Sequence, residues 1–186
     1  FSNENMLLIK ELLSPSTLFL CLIPFLSIFG TFLLNQYGNN TIQMLLLLVI
    51  AILPLISLIW INKKFYPLVI FISSISLLLH TTLISPYIWG ADINLELTLA
   101  KYVIINSLWY PSINFDYNAM LSIVLLGPIY SIISNLSLIW CFKIIYPTLF
   151  SLVPVALYVV YNKVSNEKIA FLACIFFINV NAFYTT

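Results

Sequence analysis

Apolar residues in this chain come in runs too long for a soluble fold of its size to bury. Stretches 17–34, 42–61 and 66–84 follow one another with only short polar interruptions. A fourth run covers 136–161, and a fifth covers 169–186. About 20 apolar residues in helical form cross a ~30 Å hydrocarbon core, and a helix satisfies its own backbone there. The whole chain of 186 residues is 62% hydrophobic, with a mean hydropathy of +1.09. Surface area forces a soluble domain of this length to show more polar side chains than that. The expected fold is therefore an all-α, polytopic membrane protein with about five transmembrane helices.

The punctuation between the runs supports this division. Ser14-Pro15-Ser16 is a helix start, with proline near the first turn; the preceding Met6 to Leu13 reads as a short amphipathic segment. Pro24 and Gly30 fall inside the first span, where neighbouring helices satisfy the carbonyls such breakers free. Lys63 and Lys64 follow the second span, Lys163 and Lys168 sit between the fourth and fifth, and Lys10 precedes the first. Alternating five spans puts these lysines on one side, which their bias marks as cytoplasmic. Residues 85–135 then form a large extracytoplasmic loop. Seven lysines with no arginine and no basic cluster argue against a nucleic-acid partner. Cys21, Cys141 and Cys174 lie within apolar runs without metal-ligand spacing and are expected as small core hydrophobes. Beginning at Phe1 and ending inside an apolar run, the chain reads as the N-terminal part of one longer transmembrane domain.

Asp92 and Glu96 stand out against this background, because charged residues make up only 7% of the chain. Carboxylates beside a bilayer are costly unless they face water, a partner or a substrate. The sequence predicts a helix from Ile93 to Leu108, stopped by Trp109-Tyr110-Pro111. At ~100° per residue the two acids share a face with Leu99 and Val103, while Asn94, Thr98 and Lys101 take the opposite one. A second juxtamembrane or re-entrant helix is expected over 119–133, interrupted by Gly127-Pro128. Asp92 also suits a helix N-cap, although Leu95 leaves a capping box incomplete. Lys143, near the outer end of the fourth span, would either snorkel to the interface or meet an anionic head group. The single histidine, His80, reads as a hydrogen-bonded structural residue, and Asp116 as a turn residue.

From Trp89 to Tyr161 the chain resembles GT-C type glycosyltransferases, in particular the mannosyl- and aminoarabinosyltransferase branch. Gly90-Ala91-Asp92 with Glu96 looks like the acid opening of that family's first outer loop. Ser107-Leu108-Trp109-Tyr110-Pro111 is similar to its helix break, residues 118–133 to its juxtamembrane helix, and Lys143 with Pro147 to its basic residue and proline. The chain departs from the pattern in three ways. Ile93 replaces the second of two adjacent acids, Asp116-Tyr117-Asn118 replaces a basic residue, and the loop follows the third span rather than the first. The resemblance is shared with multi-pass archaeal membrane proteins. It implies transfer of a sugar from a polyprenyl-phosphate donor to a protein, lipid or glycan acceptor on the outer face. Asp92 would be the general base, Glu96 its partner or a divalent-cation ligand with it, and Lys143 the donor-phosphate-binding residue. The alternative classes are a transporter or flippase with the acids at the mouth of a path, and a non-catalytic membrane scaffold. Charge-free spans without an internal repeat favour the transferase over the transporter.

Overall fold

The computed structural model describes residues 14–113, 115–180 and 183, and among these every regular element is helical. Four stretches are long and apolar enough to cross a membrane: Thr17–Tyr37, Thr41–Trp60, Lys63–Leu83 and Leu138–Val164. They match the first four expected spans to within a few residues at each end. The fifth run begins as a helix of 13 residues, Glu167–Asn179, and most of the chain after it lies outside the described residues. The amphipathic segment expected at Met6 to Leu13 also lies outside them. The chain divides into two compact units, one comprising residues to Ile84 together with Ser151 onward, the other Ser85–Phe150.

In the first unit, α1 (Pro15–Tyr37) starts as its sequence dictates. The Ser14 hydroxyl accepts from the Thr17 amide at 3.4 Å, and proline occupies the first turn. α1 packs against α2 (Thr41–Trp60) and α3 (Tyr66–Leu83), the latter entered through a 3-10 turn at Lys63–Phe65. α9 (Val153–Val164) and α10 (Glu167–Asn179) complete the unit. Leu46, Tyr66, Val69, Ile70, Phe171 and Ile178 are fully buried at its centre, and Tyr66 stacks on Phe171 with ring centroids 4.4 Å apart. Outward-facing Phe19, Phe25, Met44 and Ile59 are exposed, as expected where lipid is the solvent.

Polar side chains inside this bundle satisfy one another. The Ser27 hydroxyl donates to the Ser76 carbonyl at 2.9 Å, and the buried Gln43 carboxamide donates to the Ser27 carbonyl at 3.5 Å. Gln43 Oε1 lies 2.8 Å from His80 Nδ1, which is the structural histidine the sequence led us to expect. Ser73 and Ser74 are the buried hydroxyls that lack a hydrogen-bond partner among the described residues. Cys174 and Cys141 are buried as expected, whereas Cys21 faces outward; all three are free thiols.

The second unit is built on α4 (Ala91–Asn106), α5 (Leu121–Val124), α6 (Leu126–Ser134), α7 (Leu138–Trp140) and α8 (Tyr146–Phe150). Its core gathers Leu97, Ala100, Leu138 and Phe142. The expected break at Gly127-Pro128 falls earlier, at Leu125. Pro128 has no N–H to offer the Val124 carbonyl, so the helix restarts and takes both residues into the first turn of α6. A side chain at Gly127 would meet the Phe142 ring and the Tyr146 hydroxyl, each at 3.2 Å, so glycine is what lets α6 lie this close. Leu121–Ser134 is too short to count as a span.

Candidate functional site

Between α7 and α8 the backbone widens into a π turn, Cys141–Ile145, in which the Tyr146 amide reaches back to the Cys141 carbonyl. Pro147 accounts for it. That residue cannot donate to the Lys143 carbonyl four positions back and would crowd it, and a wider turn relieves both problems. The turn holds Lys143 inward, 4% exposed, with its ammonium donating to the Ser85 carbonyl. Snorkelling is therefore overturned. The lysine is bound within the protein, at Ser85, just past the end of α3.

Trp89 and Gly90 lead from that point into α4. Gly90 has φ +133° and ψ 151°, a conformation side chains rarely adopt, and its carbonyl accepts from the Asn94 carboxamide. Because Gly90 supplies the turn, helix begins at Ala91, two residues earlier than the sequence suggested, and ends at Asn106. Asp92 consequently sits inside the first turn and is not the N-cap. A carboxylate there still gains from the helix dipole. Its side chain is exposed, while Asn94, Thr98 and Lys101 are exposed on the other face as expected.

Glu96, one turn on, is half-buried. Burial raises its pKa above the ordinary carboxylate value, and the charge of Asp92 raises it further. Tyr117 joins the two acids. Its phenol pKa is raised, first by its hydrogen bond to the Asp92 carboxylate, then by burial and by the charges of Asp92, Glu96 and Asp116.

Residues 109–120 present Tyr117 through a loop organised on one buried side chain, Asn118. Its carboxamide donates to the carbonyls of Tyr110, at 2.9 Å, and Ile113, at 3.2 Å. The Trp109 indole N–H in turn points at the Asn118 side-chain and main-chain oxygens, at 3.1 and 3.2 Å. A buried polar group with all of these partners fixes its surroundings. Here it fixes the 3-10 turn Asp116–Ala119, with exposed Asp116 opening it as the turn residue expected.

The site thus brings Asp92, Glu96 and Tyr117 together, and the sequence reading missed both Tyr117 and Asn118. They stand in an Asn- and Tyr-rich stretch that reads as an ordinary turn, and nothing local distinguishes the hub from its neighbours. Among the described residues no group of three or more His, Cys, Asp or Glu side chains gathers. A divalent cation at Asp92 and Glu96 would therefore take its remaining ligands from water and substrate phosphate, a mode Mg2+ commonly uses. Neither a family model, a curated protein nor a solved structure matches this chain.

Proposed function

We propose that the protein is a GT-C type glycosyltransferase that moves a sugar from a polyprenyl-phosphate donor to a hydroxyl acceptor on the extracytoplasmic face. The observation that carries this reading is Asp92, an exposed carboxylate in the first turn of α4, with the half-buried Glu96 one turn on, in a chain with few charges. In the reaction the acceptor oxygen attacks the anomeric carbon. Its proton passes to Asp92, and the bond from carbon to the phosphate oxygen breaks with its electron pair staying on the phosphate. Tyr117 orients the carboxylate, and Glu96, with its raised pKa, holds the acceptor by hydrogen bonding. Lys143 at the Ser85 carbonyl offsets charge on the departing phosphate.

Transfer of radiolabelled sugar from polyprenyl-phosphate donors by the full-length protein tests this directly. Asp92→Asn is expected to lower the rate about 10²–10⁴-fold, the usual contribution of a positioned base. Full activity in that variant would remove Asp92 from the chemistry. A second reading, a transporter, draws on the hydrogen-bonded pair of buried Gln43 and part-buried His80 inside the spans. It predicts substrate flux into liposomes with no consumption of lipid-linked sugar.

A further inference from the structure

Among the described residues, one face of the first unit is open. Between α1 and α2 lies an apolar cleft of about 290 Å³, lined among others by Phe19, Leu20, Leu48, Ile56, Trp60 and Ile61. Its shape follows from where the two helices touch. At Gly30 they lie so close that an added side-chain carbon would come within 3.0 Å of Ile42 and 3.1 Å of Gln43. The cleft lies away from that contact, toward the start of α1 and the end of α2.

Its depth is informative. α2 has 20 residues, about 30 Å at 1.5 Å per residue, which is a full hydrocarbon core. Leu48 to Trp60 covers about 18 Å of that, close to the ~15 Å of a single leaflet. A partner transmembrane helix would need a face running the full length of α1 and α2. An acyl chain needs only one leaflet.

The mouth of the cleft is basic. Ile61, its last lining residue, and Asn62 are extended, and Lys63 and Lys64 follow in the 3-10 turn. Lys63 pairs with Glu167 at 3.1 Å, which brings the turn between α9 and α10 to the same end. Lys163 in the last turn of α9 and Lys168 in the first turn of α10 lie on either side of that turn, so this end of the unit carries four exposed lysines against one glutamate among the described residues. Trp60, 83% exposed beside this cluster, marks the level of the head groups. We infer that the cleft holds one acyl chain of an anionic phospholipid, whose phosphate is bound by the lysines at its mouth, Lys64 foremost. Apolar walls, single-leaflet depth and a cationic end match the three parts of such a lipid. The inference stands apart from the transferase reading, since it uses neither Asp92 nor the outer loop.

Trp60 supplies its own probe. The full-length protein is reconstituted in phosphatidylcholine vesicles containing phosphatidylglycerol brominated on its acyl chains, and quenching is compared with brominated phosphatidylcholine at equal mole fraction. The Trp60 signal is the difference between the unaltered chain and Trp60→Phe. A lysine near an anionic head group contributes about a fivefold preference. Quenching of Trp60 should therefore favour phosphatidylglycerol at least about fivefold, and Lys64→Gln should lower that preference about fivefold while both variants fold normally. Equal quenching by the two lipids would overturn the inference. A preference unchanged in Lys64→Gln, and in Lys64→Gln with Lys168→Gln, would overturn the headgroup assignment. An equal preference at the tryptophans remaining in Trp60→Phe would mean general lipid enrichment and no site. Displacement of the brominated lipid by undecaprenyl phosphate would overturn the choice of a phospholipid.

Discussion

Burial and the neighbouring Asp92 both penalise the charged form of Glu96, so the folded chain holds a proton there more readily than the unfolded chain does. Below the ordinary value of 4.5 both states are protonated and the contribution to stability is fully present. As pH rises through the raised folded pKa, the fold must carry a poorly solvated charge, and that contribution is lost. Glu96→Gln keeps the shape and removes the titration. Its Tm should exceed that of the unaltered protein at pH 7 and converge with it below about pH 4. Parallel curves across that range, measured by thermal unfolding in detergent, would mean that Glu96 is not held by this environment. Asp92, one turn earlier and exposed, shows how narrowly the effect is placed: the same helix face carries one acid toward the protein and one toward water. That the acids are unusual was legible from the rarity of charge. Which of them is the more buried was not, because the answer depends on how α4 rolls onto Leu138 and Phe142, residues some forty positions away.

At the scale of the element, α4 depends on its first turn. Gly90 at φ +133° holds a conformation that costs a side-chain-bearing residue about 1–3 kcal/mol, and an added carbon there would also press on Ile93 at 3.1 Å. Gly38, which ends α1 at φ +65° with nothing within 4 Å, is a control. Left-handed geometry alone costs about 1–2 kcal/mol. Gly90→Ala should therefore lower stability more than Gly38→Ala, and it alone should lower transfer activity, because it shifts where Asp92 enters the helix. Equal losses of stability with activity untouched in both would show that the onset of α4 does not set the carboxylate. Element boundaries were readable where a local rule decides them. Ser14-Pro15 starts α1, and Trp109 to Pro111 follows the end of α4 within a few residues. They were misread where two rules competed. Asp92 fits an N-cap, yet Gly90 two residues earlier makes the turn. Gly127-Pro128 looks like a break, yet the helix breaks ahead of it so that Gly127 can pack. The π turn around Lys143 follows from Pro147 once the helix is known to continue through it. Sequence alone offered a simple span there.

For the whole molecule, four long apolar helices were legible because hydropathy reads the solvent rather than the fold, and lipid imposes the same demand on each helix regardless of its neighbours. Packing inside the first unit was less so. Ser27, Gln43, Ser76 and His80 are scattered over three helices, and their spacing predicts no shared network until α1, α2 and α3 are brought together. The ion pair between Lys63 and Glu167 adds a constraint that lysine counting left as bookkeeping: the turn after α2 and the turn before α10 lie at one end of the unit. A prediction about topology comes from this for the entire chain. In a background where Cys21, Cys141 and Cys174 are replaced by serine or alanine, single cysteines at Lys64 and Lys168 should react with a membrane-impermeant maleimide from the same side of sealed vesicles. A cysteine at Asn39, across the 20 residues of α2, should react from the other side, and one at Asp116 should join Asn39. Labelling of Lys64→Cys and Lys168→Cys from opposite faces would contradict the ion pair itself. Labelling of Asp116→Cys together with Lys64→Cys would keep the fold but place the acids beside the lysines on the inner face, where no extracytoplasmic acceptor could reach Asp92. If the shared lysine side is the cytoplasmic one, as the lysine excess leads one to expect, both lysine positions should be protected in intact cells, and Asn39→Cys and Asp116→Cys should be modified.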